Sequence, residues 1–106
     1  MIDKHKLKHL GDVKQVFIHK VEKGENVFTL AETFHTTVEC IIKNNALTED
    51  VKYGQYLVIE KLDGEEYIVL PKDTILKIAG NDKEKALQII SKNKIDYIFV
   101  GQKLYL

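Results

Sequence analysis

The chain contains an internal repeat, and this repeat constrains its fold more than any other feature. Residues 19–45 align without a gap on residues 67–93, an offset of 48, and apolar residues fall on apolar residues. After one deletion the alignment continues at an offset of 47, which places Gly54-Gln55 on Gly101-Gln102. The repeat therefore predicts a supersecondary unit of about 45 residues that the chain uses twice.

The composition limits the classes of partner. The 106 residues include 16 Lys and 16 acidic residues, and no Arg. Because the planar Arg side chain is the favoured reader of guanine edges and phosphates, we expect no nucleic-acid partner. No apolar run approaches the roughly 20 residues that span a bilayer, so we expect no membrane insertion. Cys40 is the single cysteine, which excludes an internal disulfide.

Residues 1–15 are predicted to be a solvated N-terminal tail. The segment is basic but lacks the apolar core and cleavage site of a secretory signal, so we expect synthesis in the cytoplasm without a signal peptide. Whether the tail docks a larger partner and whether the sequence is a fragment stay open. His5 and His9 are four residues apart, but no third ligand lies near them, and we expect neither a metal site nor a cofactor.

Residues 16–60, unit one, read as strand, helix, helix, strand. Residues 16–21 and 56–59 are rich in β-branched and aromatic residues and predict strands. Asn26 is placed to cap a first helix, and Thr36 or Thr37 a second, with Glu39 positioned for a capping box on Thr36. The apolar stripes of these helices are expected to be core. They comprise Val27, Leu30, Ala31 and Phe34 in the first helix and Val38, Ile41 and Ile42 in the second.

Residues 66–106, unit two, repeat this order after a charged linker at residues 61–65. Thr74 is expected to cap the first helix, which should be shorter than in unit one because Gly80 and Asp82 interrupt it. Two helices that cover one face of a two-stranded antiparallel sheet give each unit a core. The predicted fold is α+β with two βααβ units, which either pack together or stay independent.

The residues kept in both units resemble the LysM domain, whose pattern spans the whole unit. Unit one matches at His19-Lys20-Val21, Gly24-Glu25-Asn26-Val27, Leu30-Ala31, Phe34-His35, Thr37, Ile41, Asn45 and Gly54-Gln55. Unit two matches at Tyr67-Ile68-Val69, Lys72-Asp73-Thr74-Ile75, Ile78-Ala79, Ile89, Asn93 and Gly101-Gln102. Unit two departs from the pattern at Lys72 and Asp82, so it is interpreted as a degenerate repeat.

The resemblance implies that the chain binds glycans containing N-acetylglucosamine, peptidoglycan or chitin, without cleaving them. In the family the sugar lies between the first and last loops of the unit. At matching positions of unit one the implied contacts are Gly24, Glu25, Asn26, Val27 and Phe28 with Ala46, Leu47 and Thr48. A possible second site in unit two would use Asp73, Thr74, Ile75, Tyr97 and Phe99.

Several of these residues have an alternative role. Tyr97 and Phe99 stack on a sugar or pack against the other unit, and Phe28 is either a ligand contact or incidental surface. Asn45 and Asn93 touch sugar or tie down the following turn. Cys40 is expected to be a partly exposed thiol without a catalytic role, because no orienting His is placed beside it.

Three functions fit this sequence. The first is non-catalytic binding of bacterial peptidoglycan through unit one, with avidity from unit two. The second is a structural protein of a phage tail, a contractile-injection baseplate or a spore layer, which uses LysM-like units for protein contacts. The third is the targeting fragment of a cell-wall hydrolase. The expected place of action is accordingly the cell wall, a spore layer or a phage particle.

Overall fold

A computed structural model describes residues 15–106. These residues form β1 (Val16–Lys20), α1 (Val27–Thr33), α2 (Val38–Asn45), β2 (Tyr56–Glu60), β3 (Glu66–Ile68), α3 (Ile75–Ile78), α4 (Lys83–Asn93) and β4 (Lys103–Tyr105). Strand, helix, helix and strand follow one another twice, which confirms the α+β class and the βααβ units. The exact domain limits stay a prediction.

The first and last strands of each unit pair as a two-stranded antiparallel sheet. In unit one β1 pairs with β2, from Val16 opposite Glu60 to Lys20 opposite Tyr56. In unit two β3 pairs with β4 over a shorter register. The helices cover one face of each sheet, and the buried core of unit one is Val21, Val27, Leu30, Ala31, Ile41, Leu57 and Ile59. The separate core of unit two is Val69, Ala79, Ala86, Ile89, Ile95 and Leu104.

Asn45 and Asn93 join the end of the second helix to the last strand in both units. The Asn45 side-chain amide donates to the Val58 carbonyl at 2.8 Å, and its oxygen accepts the Val58 amide at 2.7 Å. Asn93 makes both bonds to Tyr105, each 2.8 Å long. These asparagines hold the strand rather than the following turn, which gives the repeated Asn a structural role.

The helix break lies at different places in the two units. The structure has seven residues in α1 and eight in α2, but four in α3 and 11 in α4. Asp82 caps α4 with its side chain and so begins that helix early. The prediction of a shorter first helix in unit two is confirmed, and the residues that α3 lacks are gained by α4.

The cap of α2 differs from one detail of the prediction. Thr37 is the N-cap, and its hydroxyl accepts the Cys40 amide at 3.1 Å. Thr36 is fully buried and its hydroxyl has no hydrogen-bond partner within residues 15–106. The predicted capping box between Thr36 and Glu39 is therefore wrong.

The two units pack against each other. Cys40 from α2, Leu62 from the linker and Tyr105 from β4 form a buried cluster between them, and the Leu62 amide donates to the His35 carbonyl at 2.8 Å. The expectation of a partly exposed Cys40 is wrong because unit two covers it, and this burial raises the pKa of the thiol. Leu62 likewise makes the linker a part of the interface.

Ion pairs also connect the units. Lys103 contacts Glu32 at 3.0 Å, and Lys43 contacts Asp96 at 2.7 Å. Residues 16–60 carry four Lys and seven acids, whereas residues 66–106 carry seven Lys and five acids, so their opposite net charges attract. Because the carboxylates of both pairs are exposed to solvent, the buried cluster contributes more to the association.

Gly64 fixes the path of the linker beside β4. Its φ is +107°, and a Cβ atom at this position would lie 2.1 Å from the Leu106 carbonyl oxygen. Glycine is the residue that fits both the positive φ and this close approach. The linker therefore runs directly against the last residues of unit two.

Candidate functional site

The first loop of unit one is held by the carboxylate of Glu25. This carboxylate accepts the Glu22 amide at 2.6 Å and lies 2.8 Å from the His19 ring nitrogen. The Glu22 amide and, next, the His19 ring lower the pKa of Glu25. These two contacts of the carboxylate fix the conformation of the first loop.

Unit two builds the same loop with different residues. The Asp73 carboxylate accepts the Tyr67 hydroxyl and the Leu70 amide. The Tyr67 hydroxyl is the main reason why the pKa of Asp73 is lowered, and the same bond raises the pKa of Tyr67. The loop conformation is therefore preserved, although Lys72 stands where the family pattern has a glycine. Lys72 takes a positive φ of 68°.

The second loop of unit one is tied to the first by Asp50. One oxygen of its carboxylate accepts the Val27 amide at 3.1 Å and the Val51 amide at 2.7 Å. This bond connects the start of α1 to the loop between α2 and β2. At the offset of 47 Ile98 matches Val51, and the second loop of unit two, one residue shorter, has no counterpart of Asp50. The bridge is therefore particular to unit one.

A groove of about 200 Å³ lies between the second loop and the helices α1 and α2. The structure lines it with Val27, Ile42, Leu47, Thr48, Glu49 and Asp50. Its floor is apolar and its rim carries a hydroxyl and two carboxylates. We name it groove one.

Unit two has an equivalent groove of about 290 Å³, which we name groove two. It is lined by Asp73, Thr74, Ile75, Ile90, Ile95, Asp96, Tyr97 and Ile98. The apolar positions Val27, Ile42 and Leu47 of groove one recur here at the offset of 48 as Ile75, Ile90 and Ile95, and the second loop closes both grooves with residues 48–50 and 96–98. The repeat therefore preserves the groove as well as the core, and the two copies differ mainly in the residues of the second loop.

The predicted contact residues of unit one fall into different places. Val27, Leu47 and Thr48 line groove one. Ala46 lies on the other side of the second loop, where it lines a polar depression of about 480 Å³, and Phe28 faces a cleft between the units. Gly24, Glu25 and Asn26 belong to the first loop without lining groove one, and Asn26 uses its side chain to cap α1.

In unit two, four of the five predicted residues line groove two. These are Asp73, Thr74, Ile75 and Tyr97. Phe99 lies outside it and faces the cleft between the units together with Tyr97. The centroids of the two aromatic rings are 6.1 Å apart, and both rings are exposed. Of the two roles considered for them, packing against the other unit and stacking on a sugar, this exposure is compatible with stacking.

Sequence reasoning missed several groove residues. Ile42 was expected to be core, but 37% of its surface is exposed and it lines groove one. Glu49, Asp50 and Ile90 were not singled out either. The available signal was the pairing of Ile42 with Ile90 in the repeat, next to the second loop of each unit.

Other kinds of site find no support within residues 15–106. No three His, Cys, Asp or Glu side chains of this part of the chain lie close enough to hold a metal ion. The pair His5 and His9 lies outside the described residues. Across the described range, no helix has the length and apolar character needed to cross a membrane.

Comparison with known proteins finds similarity to an endolysin and to two spore cortex-lytic enzymes. The chain is 30% identical over 95 residues to the endolysin of Bacillus phage PZA, an alignment that covers 83% of this chain and 37% of the endolysin. The chain thus spans little more than a third of that relative. Among solved structures it is similar to the spore cortex-lytic enzyme SleL of Bacillus cereus, with 28% identity, a TM-score of 0.42 and coverage of 86% of this chain and 22% of SleL. SleL of Bacillus megaterium gives 24% identity, a TM-score of 0.42 and coverage of 87% and 22%.

A sequence profile identifies the first unit directly. The profile of the LysM domain matches residues 19–60, which run from β1 through both helices to the end of β2 and include both loops of groove one. Domains of this family are binding modules for peptidoglycan and other N-acetylglucosamine glycans and are not catalytic. Residues 19–60 of this chain form a LysM domain.

Proposed function

We propose that the chain binds bacterial peptidoglycan through groove one, with a second contact in groove two. The observation that carries this proposal is the recurrence of the groove at the offset of 48, with apolar residues at the equivalent floor positions Val27 and Ile75 and Ile42 and Ile90. An apolar floor with a few polar groups at the rim suits a ligand that presents both C–H faces and amide groups, as an N-acetylated sugar does.

Unit two offers a better binding surface than its departures from the family pattern suggest. Groove two is the larger of the two, and Tyr97 adds an aromatic ring, 73% exposed, at its edge. Two weak sites on one polymer raise the overall affinity through effective concentration, by up to about 10² to 10⁴. Since the packed units hold both grooves in one arrangement, the second contact costs little further entropy.

The relatives favour a role in targeting. An endolysin and two spore cortex-lytic enzymes are similar to this chain over less than half of their own length. A glycan-binding part of a larger cell-wall hydrolase is therefore the second element of the proposal. In this proposal the chain acts at the cell wall or the spore cortex.

A cosedimentation assay with insoluble peptidoglycan tests groove one. The variant Thr48→Trp places an indole where the sugar would lie, and we expect it to weaken binding by about tenfold, or about 1.4 kcal/mol. Thr33→Trp is the matched control, because Thr33 is an exposed threonine at the end of α1 that lines no groove. It should bind like the parent chain.

The assay also separates the alternatives. Chitin beads in parallel report whether any N-acetylglucosamine polymer suffices. If the folded chain at micromolar concentration binds neither polymer, the proposal is wrong and a protein-contact role in a phage or spore structure takes its place. If Thr48→Trp and Thr33→Trp bind equally, groove one is not the site.

A further inference from the structure

A cleft of about 550 Å³ lies between the two units and is larger than either groove. Its apolar wall is exposed to solvent. Phe28 and Ile42 of unit one and Ile68, Tyr97 and Phe99 of unit two line it, and each exposes more than a third of its surface. Exposed apolar residues concentrated in one concave region indicate a binding surface.

The cleft adjoins both grooves. Ile42 lines groove one on one side and the cleft on the other. Asp96 and Tyr97 do the same between the cleft and groove two. Groove one, the cleft and groove two therefore lie next to one another in a series from one unit to the other.

The polar groups at the rim of the cleft indicate a neutral ligand. Lys43 is paired with Asp96 across the cleft, and Lys103 is paired with Glu32. Each of these cations is matched by a carboxylate, and the remaining carboxylate of the lining, Glu39, accepts the Gln102 side-chain amide at 3.2 Å. The rim therefore offers hydrogen bonds and a net charge of only about one negative unit. A ligand that carries flat apolar faces and uncharged polar groups fits this lining best.

We propose that the cleft is a third glycan subsite and that one polysaccharide strand passes from groove one through the cleft to groove two. This inference rests on the proposed function. Phe28, Tyr97 and Phe99 would stack on the C–H faces of the sugar rings, and the paired charges would accept and donate hydrogen bonds at the ring edges. The units then act as one site for a long strand rather than as two sites for short fragments.

The test compares N-acetylglucosamine oligomers of two lengths by calorimetry. A trimer can occupy one groove, whereas an octamer can extend into the cleft. We expect the octamer to bind at least tenfold more tightly than the trimer, and the variant Phe99→Ala to lower this ratio by about fivefold. Ile68→Ala, a second variant confined to the cleft, should lower the ratio in the same direction.

Tyr56→Ala is the control, because Tyr56 is an exposed aromatic residue in β2 that lies outside the cleft and both grooves. It should leave the ratio of the two affinities unchanged. Equal affinity for trimer and octamer, or a ratio that Phe99→Ala and Ile68→Ala leave unaltered, overturns the continuous site while the groove proposal stands. Absence of binding by either oligomer to the parent chain overturns both.

Discussion

Replacing Asn93 with alanine is expected to lower the free energy of unfolding by about 3 kcal/mol. Asn93 is fully buried, and its side chain satisfies both the amide and the carbonyl of Tyr105 at 2.8 Å. Alanine leaves these two buried backbone groups without partners, and each such group costs about 1–3 kcal/mol. The total free energy of unfolding of a small domain is about 5–15 kcal/mol. Urea denaturation followed by circular dichroism should therefore show a large fall in the urea concentration at the unfolding midpoint.

Unit one provides a graded comparison for this result. Asn45→Ala removes the same bonds to Val58, but Asn45 is only partly buried, so water can replace them and we expect about 2 kcal/mol. Asn44→Ala is the control, since it loses one hydrogen bond to Glu60 and should cost less than about 1 kcal/mol. A loss below about 1 kcal/mol for Asn93→Ala would contradict the assigned role.

Replacing Tyr105 with alanine is expected to cost about 4 kcal/mol and to loosen the contact between the units. The Tyr105 ring is buried against Cys40 and Leu62, and its centroid lies 5.7 Å from that of His35. Three of these four residues lie outside unit two, so the cavity opens at the interface. Hydrogen exchange of the Leu62 amide, which donates to His35, should accelerate at least tenfold, a change of about 1.4 kcal/mol.

Two further variants keep this experiment interpretable. Tyr105→Phe retains the ring volume and should cost less than about 1.5 kcal/mol. Tyr53→Ala removes a tyrosine that is 77% exposed and should stay within about 0.5 kcal/mol of the parent. If Tyr105→Ala destabilises unit two while the exchange of the Leu62 amide is unchanged, the units do not stabilise each other.

Most of the fold could be predicted because it depends on patterns within one unit. Apolar spacing placed the helices, Asn26 and Thr74 were identified as their caps, and the structure has both. Asn45 and Asn93 were recognised as a repeated pair, although their bonds run to a strand. Such bonds connect residues 12 and 13 positions apart, and a pattern of residue types does not specify which backbone group an amide meets.

The contacts between the units could not be predicted in the same way. Cys40 lies away from the apolar stripe of α2 and would be exposed if unit one stood alone. Leu62 stands in a charged segment that is typical of a solvated linker. Both are buried because unit two packs on them. The pattern of residue types within one unit does not predict that packing.

The candidate site could be predicted in part. Val27, Leu47 and Thr48 could be placed at a groove because the family pattern marks both loops. Phe28 could not be assigned, because its surroundings are set by unit two across the cleft. Unit two is interpreted from its sequence as a degenerate repeat because Lys72 and Asp82 depart from the pattern, but its apolar floor position Ile95 is equivalent to Leu47.

The most direct test of the central claim is a titration of the folded chain with the N-acetylglucosamine trimer, followed by amide chemical shifts in NMR. The claim is that both grooves bind the glycan. It predicts that shifts concentrate at residues 48–50 in groove one and at residues 96–98 in groove two. Amides that do not respond at millimolar trimer, or responses confined to the outer faces of the sheets, would contradict it.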